Sequence, residues 1–124
     1  MEFKIDTSFS YTLLTPLTEL LHANLTESIQ QKQGQLGQSV SQNLIIDLSG
    51  CSDADKTALP ALMTMHKEFY GSGRSLVFIG LRDNMIKNLQ TEEAETTLNI
   101  VPTLAEAIDI VNMEILERDL FNEE

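Results

Sequence analysis

A chain of 124 residues with 42% hydrophobic content is the size of one domain and can bury a core without help from metals or disulfides. Eight basic against nineteen acidic residues leave a net charge of −11, which repels nucleic-acid phosphates and the anionic face of membranes, so neither is an expected partner. No apolar run approaches the ~20 residues needed to span a bilayer, and Met1-Glu2-Phe3-Lys4 lacks the basic-then-apolar pattern of a signal peptide. The expectation is a cytoplasmic protein, with residues 1–124 forming a single domain. The lone Cys51 suits a reducing compartment, and its acidic neighbours disfavour a thiolate, so it is read as a packing residue.

In chain order, Phe3 to Asp6 and Phe9 to Leu17 are β-prone stretches broken by Asp6-Thr7-Ser8, which predicts an N-terminal hairpin. Leu21, Leu25, Ile29 and Leu36 recur at near-helical spacing, and Asn24 with Glu27 resembles a capping box. That first helix is expected to loosen in the glutamine-rich stretch at Gly34 and Gly37, each costing about 1 kcal/mol relative to alanine. Leu44-Ile45-Ile46 and Leu76-Val77-Phe78-Ile79 are apolar without alternation, as strands covered on both faces are. Between them Ala58, Leu62, Met65 and Phe69 share one helical stripe that stops at Gly71-Ser72-Gly73, making a strand-helix-strand crossover and hence parallel pairing. Asp83 is read as the cap of a short helix carrying Met85, Ile86 and Leu89, and Leu98 to Val101 as a brief strand. Thr103 and Glu106 form a capping box before a last helix with Leu104, Ile108, Val111 and Ile115 on one stripe. From Asn112 onward five acidic residues and Arg118 leave a charge of −4, read as a solvated face whose end, 117–124, frays.

The informative region runs from Asn43 to Met63. Pro60 has no N–H to donate and belongs in the first turn of a helix, which places that helix's start near Lys56 or Thr57. A hydroxyl at such a start faces free backbone N–H groups and the positive end of the helix dipole, so a phosphate on Thr57 would be favoured locally by about 0.3–1 kcal/mol. It would also add nearly two negative charges beside Asp53 and Asp55, which any protein docked on this turn would feel. The plainer alternative is that Thr57 only caps its helix.

Asp47-Leu48-Ser49 at the end of a strand, then Asp55-Lys56-Thr57-Ala58-Leu59 at the start of a helix, resembles the signature of the sulfate-transporter/anti-sigma-factor-antagonist (STAS) family. In that family the second part reads Asp-Ser-Ser-Gly-Leu. Leu76 to Leu81 is similar to the strand and turn after its second helix, and Ile100 to Ala107 to the approach to its last helix. The resemblance implies an α/β fold with a mixed sheet of four or five strands and helices packed mainly on one side. It also implies an anti-sigma factor antagonist, a non-enzymatic regulator in signal transduction and transcription without metal or cofactor. Such a protein works by partner switching: an anti-sigma factor or related protein kinase binds the unmodified domain and phosphorylates the residue that aligns with Thr57. Lys56 stands where the family has a serine and Ala58 where it has a glycine, while threonine keeps the phosphoacceptor hydroxyl. The expected partner surface comprises Asp53, Asp55, Lys56, Ala58 and Leu59, with His22 and Asn24 from the start of the first helix.

Two other readings compete. One is a structural interaction module of a signalling assembly that is never phosphorylated. The other is a Mg²⁺-dependent phosphohydrolase, because Asp53-Ala54-Asp55-Lys56-Thr57 fits an Asp-x-Asp-x-Thr pattern; the apolar run ends at Leu48, however, short of where that motif needs its strand. His22 and His66 have no metal-ligand spacing, and Met63, Met65 and Met85 are read as core filling.

Overall fold

The computed structural model describes residues 2–37, 40–55, 57–89 and 98–122. Its sheet has four strands: β1 (Phe3–Thr7), β2 (Thr12–Pro16), β4 (Leu44–Asp47) and β6 (Leu76–Ile79), in the order β1-β2-β4-β6. The first pair is an antiparallel hairpin with Phe3 opposite Pro16, and the other pairings are parallel. A separate two-stranded ribbon joins β3 (Leu20–Leu21) to β5 (Asp53–Ala54). The helices are α1 (Ala23–Leu36), α2 (Ala58–Gly71), α3 (Asp83–Leu89) and α4 (Leu104–Asn122).

The unbroken apolar runs of β4 and β6 serve two cores. Leu44, Ile46, Leu76 and Phe78 join Leu25 and Ile29 of α1, Leu62, Met65 and Phe69 of α2, and Met85 of α3 on one face. Ile45, Val77 and Ile79 meet Ala107 and Val111 of α4 on the other, so three helices share one side and the last covers the reverse. Each fully buried Leu or Phe stabilises by roughly 1.5–3 kcal/mol. Polar ties close the ends of the sheet. Asn43 Oδ1 accepts from Ser75 N–H at 2.8 Å and from Arg118 at 3.2 Å. The Tyr70 hydroxyl donates to Glu114 at 2.7 Å and accepts from the Asn99 amide at 2.6 Å, linking α2 to α4. Burial, and then the Glu114 carboxylate that accepts its proton, push the Tyr70 pKa far up.

Several expectations are revised. The first helix starts at Ala23, with His22 Nδ1 accepting from Asn24 N–H at 3.1 Å, so the capping box expected at Asn24 and Glu27 does not form. It passes through Gly34 and stops at Gly37, whose φ of 68° ends the spiral, because buried Ile29 and Gln33 anchor its later turns. The strand expected at Leu98–Val101 contracts to one bridge between Phe78 and Ile100. The last helix continues through the acidic stretch expected to fray, as far as Asn122, while residues 123–124 lie outside the described part, as does the Leu89 side chain. Cys51 is fully buried, and burial followed by the nearby Asp47 charge raises its pKa, which agrees with a packing role.

The exits of the two central strands are packed against each other. Asp47 Oδ1 accepts from Ser49 N–H at 2.9 Å, turning the chain out of β4, and Gly80 crosses this turn with φ of 76°. A β-carbon on Gly80 would lie 2.5 Å from Asp47 Oδ1 and 2.9 Å from Ser49 N. Gly80→Ala is therefore expected to cost about 1–3 kcal/mol from backbone conformation, with the clash in addition. Urea denaturation should show a clearly lower midpoint, and an unchanged midpoint would mean that this crossing is not tightly packed.

Candidate functional site

The β3–β5 ribbon builds the site. Leu20 pairs with Asp53 and Leu21 with Ala54. Ser52 N–H donates to Glu19 O, and Asp55 N–H to Leu21 O, both at 2.7 Å. Leu21 and Ala54 are buried while Leu20 and Asp53 are exposed, so a slip of one residue would expose Leu21, and the register is pinned. Immediately after these strands the chain enters α1 on one side and α2 on the other. The pairing thus sets two helix N-termini side by side.

Thr57 is the first residue of the turn into α2, and Pro60 is the third helical residue, where its missing N–H costs nothing. The plainer alternative, that the Thr57 side chain caps α2, does not hold, since it makes no capping hydrogen bond. Its backbone is helical (φ −76°, ψ −15°), whereas a capping side chain needs an extended backbone to reach back to the free N–H groups. The Asp55 side chain takes that place, with Oδ1 accepting from Thr57 N–H at 2.8 Å, while the Asp55 carbonyl accepts from Ala58 N–H at 3.0 Å. The freed Thr57 hydroxyl reaches across to α1 and accepts from Ala23 N–H at 3.3 Å.

His22, Ala23, Asn24, Asp55 and Thr57 line one open cleft of about 370 Å³. Three of these, His22, Asn24 and Asp55, belong to the expected partner surface, and Thr57 is the expected phosphoacceptor. Thr57 and Asp55 are exposed, and Thr57, through its backbone N–H first and then its side chain, holds the Asp55 carboxyl below the usual carboxylate range, with His22 adding a smaller pull. Asp53 points elsewhere: its Oδ1 accepts from Ala54 N–H at 2.8 Å and from the Asn84 amide of α3 at 3.4 Å. Ala58 is fully buried, so its methyl group faces the core and presents no surface to a partner. Leu59 is half-buried against the same core. Lys56 lies outside the described residues. Ala23 and Asn84, which hold Thr57 and Asp53 respectively, went unnoticed in the sequence; a backbone donor and a lone amide leave no pattern there.

A family profile described as the STAS domain matches residues 8–107. The chain belongs to the STAS family. Among solved structures, this STAS chain is similar to a candidate anti-sigma factor antagonist from Thermotoga maritima, at 18% identity and a TM-score of 0.73, with 89% of this chain and 94% of that one covered. It is similar to the anti-sigma factor antagonist SpoIIAA in its unphosphorylated form, at 16% identity and a TM-score of 0.65, covering 90% and 96%. The anion transporter SLC26A9 contains the same fold, at 16% identity and a TM-score of 0.68; the match takes 90% of this chain but only 21% of that one. At such identities the likeness is one of fold. No curated protein matches the sequence. The expected α/β architecture with a four-stranded mixed sheet is the architecture of the STAS fold.

The two carboxylates of the Asp-x-Asp pattern are turned to different elements, Asp53 accepting from the Asn84 amide of α3 and Asp55 from Thr57 N–H at the start of α2. No described helix is long and apolar enough to cross a membrane.

Because the folded state favours ionised Asp55, this group's contribution to stability is complete above its ordinary value of 3.8 and is lost as the pH falls through the lower folded value. A carbon-detected NMR titration should place the Asp55 midpoint below 3.8, and Asp55→Asn should flatten the acid limb of the stability profile. A midpoint at or above 3.8 would mean that the Thr57 N–H is not held by this carboxylate.

Proposed function

We propose that this STAS domain is a regulatory protein-binding domain of the anti-sigma factor antagonist type, controlled by phosphorylation of Thr57. The partner is an anti-sigma factor or related protein kinase in the cytoplasm, and the output is regulation of transcription by partner switching. One observation carries the reading: the exposed Thr57 hydroxyl sits where the N-termini of α1 and α2 meet, already accepting from Ala23 N–H. A phosphate there is reachable by a kinase and would sit near two positive dipole ends, each worth about 0.3–1 kcal/mol at the surface. The site can therefore carry the modification without unfolding.

The switch is electrostatic. The unmodified cleft presents a neutral hydroxyl, the His22 ring and one ionised carboxylate, Asp55. Phosphorylation adds nearly two negative charges in the same cleft, on a protein already at −11. A partner surface fitted to the hydroxyl then meets a larger group and a different field, and it dissociates. SpoIIAA, described in an unphosphorylated form, supports the idea that this fold can carry such a modification. The domain itself transfers nothing; the kinase supplies the chemistry, and Thr57 accepts the phosphoryl group.

Incubation with the cognate kinase and ATP should label wild type and leave Thr57→Ala unlabelled. Thr57→Glu should weaken partner binding by about tenfold or more, equivalent to ~1.4 kcal/mol, measured by calorimetry. Undiminished labelling of Thr57→Ala would remove Thr57 as the acceptor. An unchanged affinity for Thr57→Glu would favour a structural interaction module without a switch.

A further inference from the structure

The outer face of α4 is apolar and is left exposed among the described residues. Met113, Leu116 and Leu120 are 59%, 60% and 57% exposed, at positions i, i+3 and i+7 of the helix. That spacing is the a-d-a seam of a helix pair, extending about 10 Å along the axis. The opposite side of the helix is fully used: Val111 is buried against the sheet, Glu114 accepts from Tyr70, and Arg118 donates to Asn43 and Ser75. With α4 fastened in this way, its seam must face outward.

The charges that flank the seam identify its occupant. On heptad positions counted from Met113, Glu117 falls at e and Asp119 at g, the positions that select a helical partner by charge. Both are exposed, as are Glu106 and Asp109 nearer the start of the helix. The only cation on α4, Arg118, is turned inward. A second copy would bring Glu117 and Asp119 against their own kind. We propose that this face docks an amphipathic helix of another protein, one that places Lys or Arg beside its apolar seam. Its position on the face of the sheet opposite to α1 and α2 makes it a second contact surface, separate from the Thr57 cleft.

The test uses a synthetic helical peptide with a leucine seam flanked by lysines, and a twin flanked by glutamates, with fluorescence anisotropy as the readout. The lysine peptide should bind the full chain about tenfold or more tightly than its twin. Raising the salt from about 50 to 500 mM should weaken it several-fold. The double substitution Leu116→Ser/Leu120→Ser keeps the net charge, so a tenfold loss there assigns binding to the seam and not to general acidity. Glu117→Lys/Asp119→Lys should reverse the preference toward the glutamate peptide, and Thr57→Glu should change neither affinity. Equal affinity for the two peptides, or full binding by the serine variant, would overturn the proposal. So would sedimentation showing a wild-type dimer that the serine variant dissociates, because the occupant would then be a second copy.

Discussion

The short parallel pairing of Leu20–Leu21 with Asp53–Ala54 is the constraint on which the functional geometry depends. Two residues per strand make a weak ribbon by themselves, and it holds because Leu21 and Ala54 are anchored in the main core while the backbone bonds from Ser52 to Glu19 and from Asp55 to Leu21 extend it. Each strand runs directly into a helix. Fixing their register therefore fixes the spacing of two helix N-termini, and residues more than thirty positions apart in the chain become neighbours.

From that juxtaposition the electrostatics of the cleft follow. Free backbone N–H groups at two helix starts make a region that favours negative charge, and the protein has already used part of it: Asp55 takes the N–H of Thr57, and His22 takes that of Asn24. The Ala23 N–H, for its part, is aimed at the Thr57 hydroxyl. The overall excess of acid opposes adding a phosphate, and the local backbone favours it. Under the proposed phosphorylation, such a balance would hold the modified side chain in place while changing sharply what its surroundings present to another protein.

The rest of the fold keeps this region rigid. Leu48, Cys51 and Ala54, between the central strand and α2, are buried and anchor the chain at three points from Asp47 to Asp55. Gly80 makes room for the Asp47–Ser49 turn from the neighbouring strand. On the far side, α4 closes the second core and is locked by Arg118 and Glu114, leaving its outer stripe uncovered.

Much of the architecture was legible in the residues. Continuous apolar runs at Leu44–Ile46 and Leu76–Ile79 can only be strands covered twice, and stripes such as Ala58, Leu62, Met65 and Phe69 admit one helical face, so element types and the α/β class follow from periodicity. Pro60 located the start of α2 for a purely local reason. The end of α1 was misjudged because glycine propensity at Gly34 is a small local term that burial of Ile29 and Gln33 outweighs. Whether the Thr57 side chain caps α2 was not legible because it depends on one backbone conformation.

The sequence by itself thus determined the layers and the parallel crossover, which rest on periodicity, while the candidacy of Thr57 came from the resemblance of its motif to the STAS signature. Only the tertiary structure decided that the Thr57 hydroxyl faces α1, that Asp53 turns toward Asn84, and that Ala58 is hidden. Those outcomes depend on a two-residue strand pairing too short to leave any periodic trace, and a contact between distant segments has no local signal from which to be read.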